Sequence, residues 1–496
     1  MNILTKIDWS WMETPNGQPL SVAHRGASGH AFANSFEAFE KAIALGADML
    51  EVDIRCSKDG FAYVQHDADL LSVCGKDVNI ADLTRQEISS LSTFHGAPIP
   101  EFEDIVKLAK AHDVGIYVDA KSKDGAFKAI DILLQHQFEY AAIGSFDIET
   151  CQALKANDCP YPVATLIPVG EDPFDYAARS QADIIHLCWE NACPQPQFLI
   201  DEDLMQRASE KNLKIMLWHE ERPEVIGELL GKRVLGICSD KPEMLKPYNS
   251  QQSRTALIVC HRGANLYAPE NTLHAAELAY GMGMDVVEID VQTTRDGKLV
   301  VIHDQKIDRT SNGQGLVCDF TFDELKSFDF GSWYSPFFKA MRIESLSAFI
   351  DLTKRYDRQL YIELKETAEA QDVLNTVVEA DFLDNCFFWS FDQEKLKTIR
   401  KCSSQARLMA RRQDYASLSE TIASFDAEIV EFAYGLDDMA EIETCKSLGI
   451  KSMIAYNGQD IEALKTIYDQ NPDLVNLNNI IRFAEICATG VKKELQ

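Results

Sequence analysis

The chain carries one polar segment twice, and this repeat limits what it can fold into more than any other feature. The segment from His24 to His66 recurs from His261 to His303, 237 positions later (His24 to His261). The recurring pairs are His24 and His261, Arg25 and Arg262, Asn34 and Asn271, Glu51 and Glu288, Asp53 and Asp290, and His66 and His303. A period this long indicates two duplicated domains, because solenoid repeats run about 20 to 50 residues.

Each half has the size of one α/β barrel, for which about 250 residues is typical, and the chain has 496. Short apolar runs alternate with amphipathic stretches, which predicts βα units around a parallel sheet. The predicted strands of the first half are 20–26, 49–56, 61–67, 116–121, 141–146, 162–167, 183–189, 214–219 and 235–240. Those of the second half are 257–263, 286–292, 298–304, 359–365, 386–391, 406–411, 428–434, 451–456 and 473–478.

The third run of each half follows an Asp-Gly turn, which is a strong hairpin signal. We therefore interpret 61–67 and 298–304 as return arms of hairpins, which leaves eight parallel strands in each half. The predicted fold is α/β, with two tandem TIM-type (β/α)8 barrels. The predicted boundaries are 1–247 for the first barrel, 248–256 for a polar linker and 257–496 for the second barrel.

Composition excludes several partner classes. The net charge is −30, from 48 basic and 78 acidic residues, which argues against nucleic acid or an anionic membrane surface, because both require basic patches. The sequence shows no secretory signal and no run of about 18 apolar residues, so we expect no stable membrane insertion. The 13 scattered cysteines are typical of reduced core thiols. We expect a cytoplasmic protein and leave its oligomeric state open.

The polar residues of the second half fall at strand ends, where barrel active sites are built. Glu288 and Asp290 are two positions apart and point to one side of a strand, and Glu363 occupies a similar place in a later strand. Such an oxygen-only set suits Mg²⁺ or Ca²⁺. A Glu-x-Asp pair alone is more often an exposed strand end, but its repetition in both halves favours a metal site.

Cations and histidines complete the cluster. Arg262 and Lys365 suit an anionic group such as phosphate, and His261 and His303 suit acid/base catalysis near neutral pH. A lone strand Lys is commonly a solvated rim residue, and a lone His is commonly a core residue. Their joint occurrence beside a metal site suggests hydrolysis of a phosphate ester.

Both halves of the sequence resemble the glycerophosphodiester phosphodiesterase family. The matching motifs are HRG at 24–26 and 261–263, APENT at 268–272, EIDVQTTRDGKLVVIHD at 288–304, IELK at 362–365, SFD at 145–147 and 390–392, and SDKP at 239–242. The resemblance implies a TIM-type barrel that uses one divalent cation. It also implies cleavage of a small-molecule glycerophosphodiester to glycerol 3-phosphate and an alcohol.

The resemblance also implies roles for individual residues. In the second barrel, Glu288, Asp290 and Glu363 would bind the cation, His261 and His303 would be the acid/base pair, and Arg262, Lys365 and Asn271 would bind phosphate or substrate. In the first barrel the corresponding metal ligands are Glu51, Asp53 and Asp119, the histidines are His24 and His66, and the substrate-binding set is Arg25, Lys121, Asn34 and Trp218.

Both halves depart from the family pattern. In the first half Ala33 stands where the second has Glu270, and Asp119 stands where the second has Glu363; the shorter side chain retracts that carboxylate by about 1.5 Å, while metal ligands must lie at about 2.0–2.6 Å. The first half also lacks a counterpart of DRTSNG (308–313). In the second half, Ile454 is assigned to the position where the family carries the Trp seen as Trp218, and Asn478 to the position of Asp240.

We therefore expect the second barrel to be the catalyst. The first either is active with an altered site or serves binding or stability. Two alternatives stay open for the whole chain. One is a lysophospholipase-D-type activity on lysophospholipids, which the aromatic segment 328–338 of the long excursion 304–358 could serve. The other is a non-catalytic phosphodiester-binding module, against which the intact histidine pairs argue.

Overall fold

The computed structural model describes residues 7–13, 18–245 and 256–489. Contacts divide the chain into two compact units, Met1–Lys246 and Pro247–Gln496. The predicted linker, 248–256, lies outside the described residues apart from Ala256, so the domain boundaries stay a prediction.

The first unit is a closed parallel barrel. Its strands are β1 (Leu20–Ala23), β2 (Met49–Cys56), β3 (Ala62–Val64), β4 (Asp69–Leu70), β5 (Lys76–Asn79), β6 (Gly115–Ala120), β7 (Ala141–Ser145), β8 (Val163–Ile167), β9 (Ile184–Cys188), β10 (Lys214–Trp218) and β11 (Gly236–Ser239). Strand β1 pairs in parallel with both β2 and β11, which closes the ring of β1, β2 and β6 to β11.

The second unit repeats this ring. Its strands are β12 (Leu257–Cys260), β13 (Val286–Thr293), β14 (Leu299–Val301), β15 (Gln359–Leu364), β16 (Cys386–Trp389), β17 (Met409–Arg411), β18 (Ile429–Ala433), β19 (Lys451–Tyr456) and β20 (Leu474–Leu477). The ring is nearly closed. Its edge strands, β16 and β17, are joined by an isolated parallel bridge from Phe388 to Leu408 and not by a regular ladder. The prediction of two eight-stranded parallel barrels is confirmed.

The return arms are also confirmed. Strand β3 pairs antiparallel with β2, and β14 pairs antiparallel with β13. Backbone hydrogen bonds from Gln65 to Asp53 and from Ile302 to Asp290 continue each hairpin beyond its ladder. Each arm therefore brings the histidine that follows it, His66 or His303, beside the end of the strand that carries the Glu-x-Asp pair.

Helices follow the strands in both units. In the first they are α1 (Phe36–Ala44), α2 (Leu71–Cys74), α3 (Arg85–Ser89), α4 (Phe102–Ala111), α5 (Lys123–Gln135), α6 (Ile148–Ala156), α7 (Pro173–Ser180), α8 (Glu202–Glu210) and α9 (Pro223–Leu229). In the second they are α10 (Leu273–Gly281), α11 (Phe322–Leu325), α12 (Leu346–Arg355), α13 (Ala370–Glu379), α14 (Gln393–Cys402), α15 (Leu418–Ala423), α16 (Glu441–Leu448), α17 (Ile461–Asp469) and α18 (Ile480–Thr489). Local sequence sets the starts of α1 and α10, because Ser35 and Thr272 accept hydrogen bonds from Ala38 N and Ala275 N.

The long excursion of the second unit builds a small core of its own. Buried side chains from β14 onward pack together there, including Ile307, Val317, Leu325, Phe330 and Ile343. Among the described residues, no helix is both long and apolar enough to cross a membrane.

Candidate active sites

A strained turn repeated in both barrels begins each site. Sequence reasoning extended the first strands through HRG, but β1 and β12 end at Ala23 and Cys260. Arg25 and Arg262 then adopt φ values of 55° and 57°, in the left-handed region. Gly26 has φ 81°, and a Cβ there would lie 2.6 Å from the backbone of Ala38, so only glycine fits. The turn aims the Arg262 amide at Glu288 Oε2 (2.8 Å).

The structure brings the three predicted metal ligands of the second barrel together. Glu288, Asp290 and Glu363 are buried, and each offers an oxygen within 4.8 Å of the others. The register explains this, because Asp290 pairs with Glu363 across β13 and β15. Asn271 Nδ2 donates to Asp290 Oδ2 at 2.7 Å, which orients that carboxylate.

Burial and crowding set the charges of this triad. Burial, and then the charge of Asp290, raise the pKa of Glu288 well above its usual value and that of Glu363 to about 7. Burial would also raise the pKa of Asp290, but Lys365 and Arg262 lower it. Lys365 Nζ lies 2.5 Å from Glu363 and 3.3 Å from Asp290.

The first barrel assembles the same group in spite of its shorter third carboxylate. Glu51, Asp53 and Asp119 are buried, with ligand oxygens within 4.8 Å of one another. Lys121 Nζ lies 2.8 Å from Asp53 and 2.5 Å from Asp119, and Asn34 Nδ2 donates to Asp53 at 2.7 Å. The triad is thus present in both barrels, and a weaker metal affinity of the Asp119 site stays a prediction.

Each predicted catalytic histidine is held through Nδ1. His303 lies 2.6 Å from Asp304 and His66 2.8 Å from Asp67. His24 lies 2.6 Å from Asp240, whereas His261 lies 2.8 Å from the amide oxygen of Asn478. The partner differs in kind only for His24 and His261. The sequence had assigned Asn478 to the position of Asp240 but had not predicted that these residues contact the histidines.

The second barrel also contains a network that sequence reasoning missed. Glu270, from PENT, accepts from Arg262 at 2.9 Å and from Arg309 at 2.7 Å. Arg309 also donates to Asp304 at 2.7 Å. This hydrogen bond, together with that of His303, outweighs the opposing effect of burial and lowers the pKa of Asp304 to about 2. The DRTSNG stretch, which contains Arg309, was the available signal, but its partner Glu270 lies 39 positions away.

The register corrects the position assigned to the missing tryptophan. Trp218 pairs with Cys238, and Ala455 pairs with Asn476, on matching strands of the two barrels. Ala455 therefore occupies the place of Trp218, and Ile454 was wrong by one residue. The error matters because a one-residue slip moves a side chain to the other face of the strand. Trp218 lines the cavity that contains His24, His66 and Asp119.

Each barrel mouth combines carboxylates suited to a metal cation, an arginine, a lysine and two oriented histidines. This combination defines a candidate site for chemistry on a phosphate ester. The chain belongs to the glycerophosphoryl diester phosphodiesterase family, whose family model matches residues 24–244 and 261–423. The second matched segment ends before β18, so it includes neither Ala455 in β19 nor Asn478, which follows β20.

Individual relatives agree with this membership. A glycerophosphodiester phosphodiesterase of Caldanaerobacter subterraneus is 30% identical over 225 residues, covering 40% of this chain and 93% of that protein. A glycerophosphodiester phosphodiesterase of Bacillus subtilis is 40% identical over 117 residues, covering 22% of this chain and 40% of the relative. The chain spans less than half the length of several curated relatives it matches. A solved glycerophosphodiester phosphodiesterase from Agrobacterium tumefaciens has 32% sequence identity and a TM-score of 0.43, and covers 46% of this chain and 99% of its own.

Proposed function

We propose that this protein hydrolyses glycerophosphodiesters to glycerol 3-phosphate and an alcohol, using a divalent cation, with the second barrel as its principal catalyst. The observation that carries the proposal is the buried carboxylate triad beside two histidines whose Nδ1 atoms are already engaged. Family membership supports the reaction class. A cytoplasmic location is part of the proposal, in keeping with cysteines that form no disulfide among the described residues.

The carboxylates fit a hard cation. Glu288 Oε1 and, in the first barrel, Asp119 Oδ1 are buried atoms for which the described residues supply no hydrogen-bond donor. A buried carboxylate oxygen without a partner is costly, and a cation that accepts oxygen ligands removes that cost. Glu288, Asp290 and Glu363 would hold Mg²⁺ or Ca²⁺ in the second barrel, and Glu51, Asp53 and Asp119 in the first.

When bound, the cation would polarise a phosphoryl oxygen and offset charge in the transition state. Arg262 and Lys365, with Arg25 and Lys121 in the first barrel, would hold the remaining phosphate oxygens. Asn271 and Asn34 would bind the substrate. Hydrogen bonds from their side-chain amides also orient Asp290 and Asp53.

The histidines would move the protons. The amide oxygen of Asn478 can only accept, so Nδ1 of His261 carries a hydrogen and Nε2 is left for proton transfer. One histidine would take the proton of the glycerol 2-hydroxyl while the hydroxyl oxygen attacks phosphorus, and the other would protonate the departing alcohol oxygen. This attack would form a cyclic diester. Water would then open the cyclic diester, with the roles of the two histidines reversed.

The second barrel is favoured because its supporting contacts are more complete. Glu363 reaches the site with one more methylene than Asp119, and Glu270 and Arg309 brace Arg262 and Asp304. The first barrel has Ala33 in place of Glu270, so Arg25 lacks the equivalent carboxylate. We propose that the first barrel is slower or serves binding.

Lysophospholipid hydrolysis and pure binding are the alternatives. The aromatic segment of the excursion packs largely into protein: Phe330 and Phe338 are buried, and Tyr334 donates to the carbonyl of Leu266 at 2.7 Å. This packing favours a structural role for that segment over an acyl-chain site.

The test is hydrolysis of glycerophosphocholine by the full chain carrying His303→Ala or His66→Ala, with Mg²⁺ and with Ca²⁺. We expect His303→Ala to lower kcat/KM by about a hundredfold or more, because that proton transfer is lost, and His66→Ala to lower it only slightly. Circular dichroism and thermal melting check that both variants fold. Full activity in His303→Ala with loss in His66→Ala would assign the chemistry to the first barrel. A lysophosphatidylcholine arm distinguishes the lipid alternative, and inactivity of the unmodified chain on both substrates leaves the binding module.

A further inference from the structure

The two barrels also differ at one wall of the site. In the first barrel, Leu166 and Trp218 line the same cavity as His24, His66 and Lys121. This wall is apolar: Leu166 is buried, and Phe146 lies 6.3 Å from Trp218 between ring centroids.

The register identifies the corresponding wall of the second barrel. Leu166 pairs with His186, which pairs with Met216; Arg411 pairs with Glu431, which pairs with Met453. Since Met216 and Met453 are equivalent in β10 and β19, Arg411 occupies the place of Leu166 and Glu431 that of His186.

A second exchange accompanies the first. Trp218 is replaced by Ala455, which vacates the indole position. On the neighbouring strand, Trp389 pairs with Glu363, as Gly144 pairs with Asp119. The first barrel therefore has an apolar wall that includes Trp218. The second barrel has the guanidinium of Arg411 at this wall, beside Trp389.

Arg411 lies against two adjoining aromatic rings, whose centroids are 4.5 Å apart, and still reaches solvent. Its Cζ lies 5.3 Å from the ring centroids of both Trp389 and Phe391, and its side chain is 21% exposed. A cation–π contact of this kind helps to position a guanidinium without using its N–H donors.

The acidic neighbours of Arg411 neutralise it only in part. Glu431 lies 3.9 Å away, beyond hydrogen-bonding distance, and burial raises the pKa of Glu431 to about 7. Asp414 and the amide of Gln413 are also close. The side-chain amide oxygen of Gln413 accepts from Nε and Nη2 of Arg411. The described residues offer no hydrogen-bond acceptor to Nη1, so its two N–H donors stay available to an anionic ligand.

The same ring links Arg411 to the candidate phosphate site. Lys365 Nζ lies 5.7 Å from the centroid of Phe391, and Arg411 Cζ lies 5.3 Å from it. Lys365 also contacts Glu363 and Asp290. One extended small molecule can therefore place one anionic group at Lys365 and another at Arg411.

We propose that Arg411 forms a second anion subsite, through which the second barrel selects phosphodiesters whose alcohol portion carries another phosphate or a carboxylate. The inference rests on the proposed function, since it assigns the alcohol side of the same substrate. The first barrel, with Leu166 and Trp218 there, selects diesters with uncharged or apolar alcohols.

The test compares three diesters that share one backbone: glycerophosphoglycerol, bis(glycerophospho)glycerol with a second phosphate, and glycerophosphoglycerate with a carboxylate. The full chain carries His66→Ala, so that turnover comes from the second barrel. In this background Arg411→Leu should lower the preference for the anionic diesters, as a ratio of kcat/KM to that of glycerophosphoglycerol, by about tenfold or more. Arg411→Lys should restore part of it.

The two anionic substrates identify the group that Arg411 recognises. If Arg411→Leu lowers the preference for both, the subsite accepts either anionic group. If it lowers the preference for one, that substrate identifies the group as the phosphate or the carboxylate. Leu166→Arg in a His303→Ala chain is the matched control and should create the preference in the first barrel. An unchanged ratio in Arg411→Leu overturns the proposal.

Failure of the proposed function has a different signature, namely no turnover of any of the three diesters. The subsite is then decided by calorimetric titration of the same compounds into the His66→Ala/His303→Ala chain with Mg²⁺. Tighter binding of an anionic diester that Arg411→Leu removes supports the subsite, and equal affinities for all three overturn it.

Discussion

Each candidate catalytic histidine forms a hydrogen bond through Nδ1. The two barrels differ in the partner of the first histidine, which is Asp240 for His24 and Asn478 for His261. Asp240 beside His24 is a carboxylate with its pKa at about 2, where burial is outweighed by the hydrogen bond from His24. Asn478 beside His261 carries no charge, and burial, followed by Arg262, lowers the pKa of His261. Burial lowers the pKa of His24 too, although Asp240 opposes it.

Asn478→Asp should therefore raise the pKa of His261, because a carboxylate stabilises the imidazolium that the amide does not. In a His66→Ala chain, the limb of the kcat/KM profile that depends on His261 should move to higher pH. The reciprocal Asp240→Asn change in a His303→Ala chain should move the first barrel's limb to lower pH. Profiles that do not move would remove His261 and His24 from the titrating groups.

A second residue-scale prediction concerns Glu431. Its pKa is raised by burial from 4.5 to about 7 in the folded chain, so the folded state holds a proton that the unfolded state releases. Its contribution to stability is present below about pH 4.5 and lost as pH rises through 7. Melting temperature at pH 5.5 and at pH 8 should differ less in Glu431→Gln than in the unmodified chain. Equal differences in the two proteins would contradict the assignment.

At the scale of elements, the excursion after β14 adds stabilising contacts to the second site. It folds on its own small apolar core and presents Arg309 to Glu270 and Asp304. Arg309 thereby ties the PENT turn after β12 to the hairpin arm that carries His303. The first unit has no equivalent of this tie, since Ala33 stands at the position of Glu270.

Arg309→Leu should consequently lower kcat of the second barrel, by about tenfold, because Asp304 and His303 lose their orienting partner. KM should change less, since Arg309 bonds to carboxylates of the protein. Glu270→Ala, which copies Ala33, should act in the same direction. Kinetics in a His66→Ala chain measure both, with melting temperature as the control for folding. A change confined to KM would instead place Arg309 against the substrate.

At the scale of the whole molecule, the proposed function predicts two cation sites per chain, one at each buried carboxylate triad. Cation binding must release protons, because burial raises the pKa of Glu363 to about 7 and that of Glu288 well above its usual value. Affinity should therefore rise with pH.

Titration calorimetry with Mg²⁺ or Ca²⁺ should give two sites per chain, tighter at pH 8 than at pH 6. Glu288→Gln should leave one site and Glu51→Gln should leave the other. If Asp119 weakens the first site, the site left in Glu288→Gln will be the weaker one. A single site in the unmodified chain would show that one triad does not bind the ion, and EDTA-resistant hydrolysis would sink the metal assignment.

Much of this protein was determined by local sequence. The alternation of apolar runs and amphipathic stretches, the Asp-Gly hairpins and the repeated HRG, Glu-x-Asp and His-Asp groups predict two barrels and both triads, because strand periodicity and turn chemistry depend on near neighbours. The tertiary structure alone decided which other distant groups meet. Arg309 joins Glu270 across 39 positions, and Ala455 rather than Ile454 replaces Trp218 because register across strands sets the facing side chain. The same register puts Arg411 at the place that Leu166 has in the first barrel.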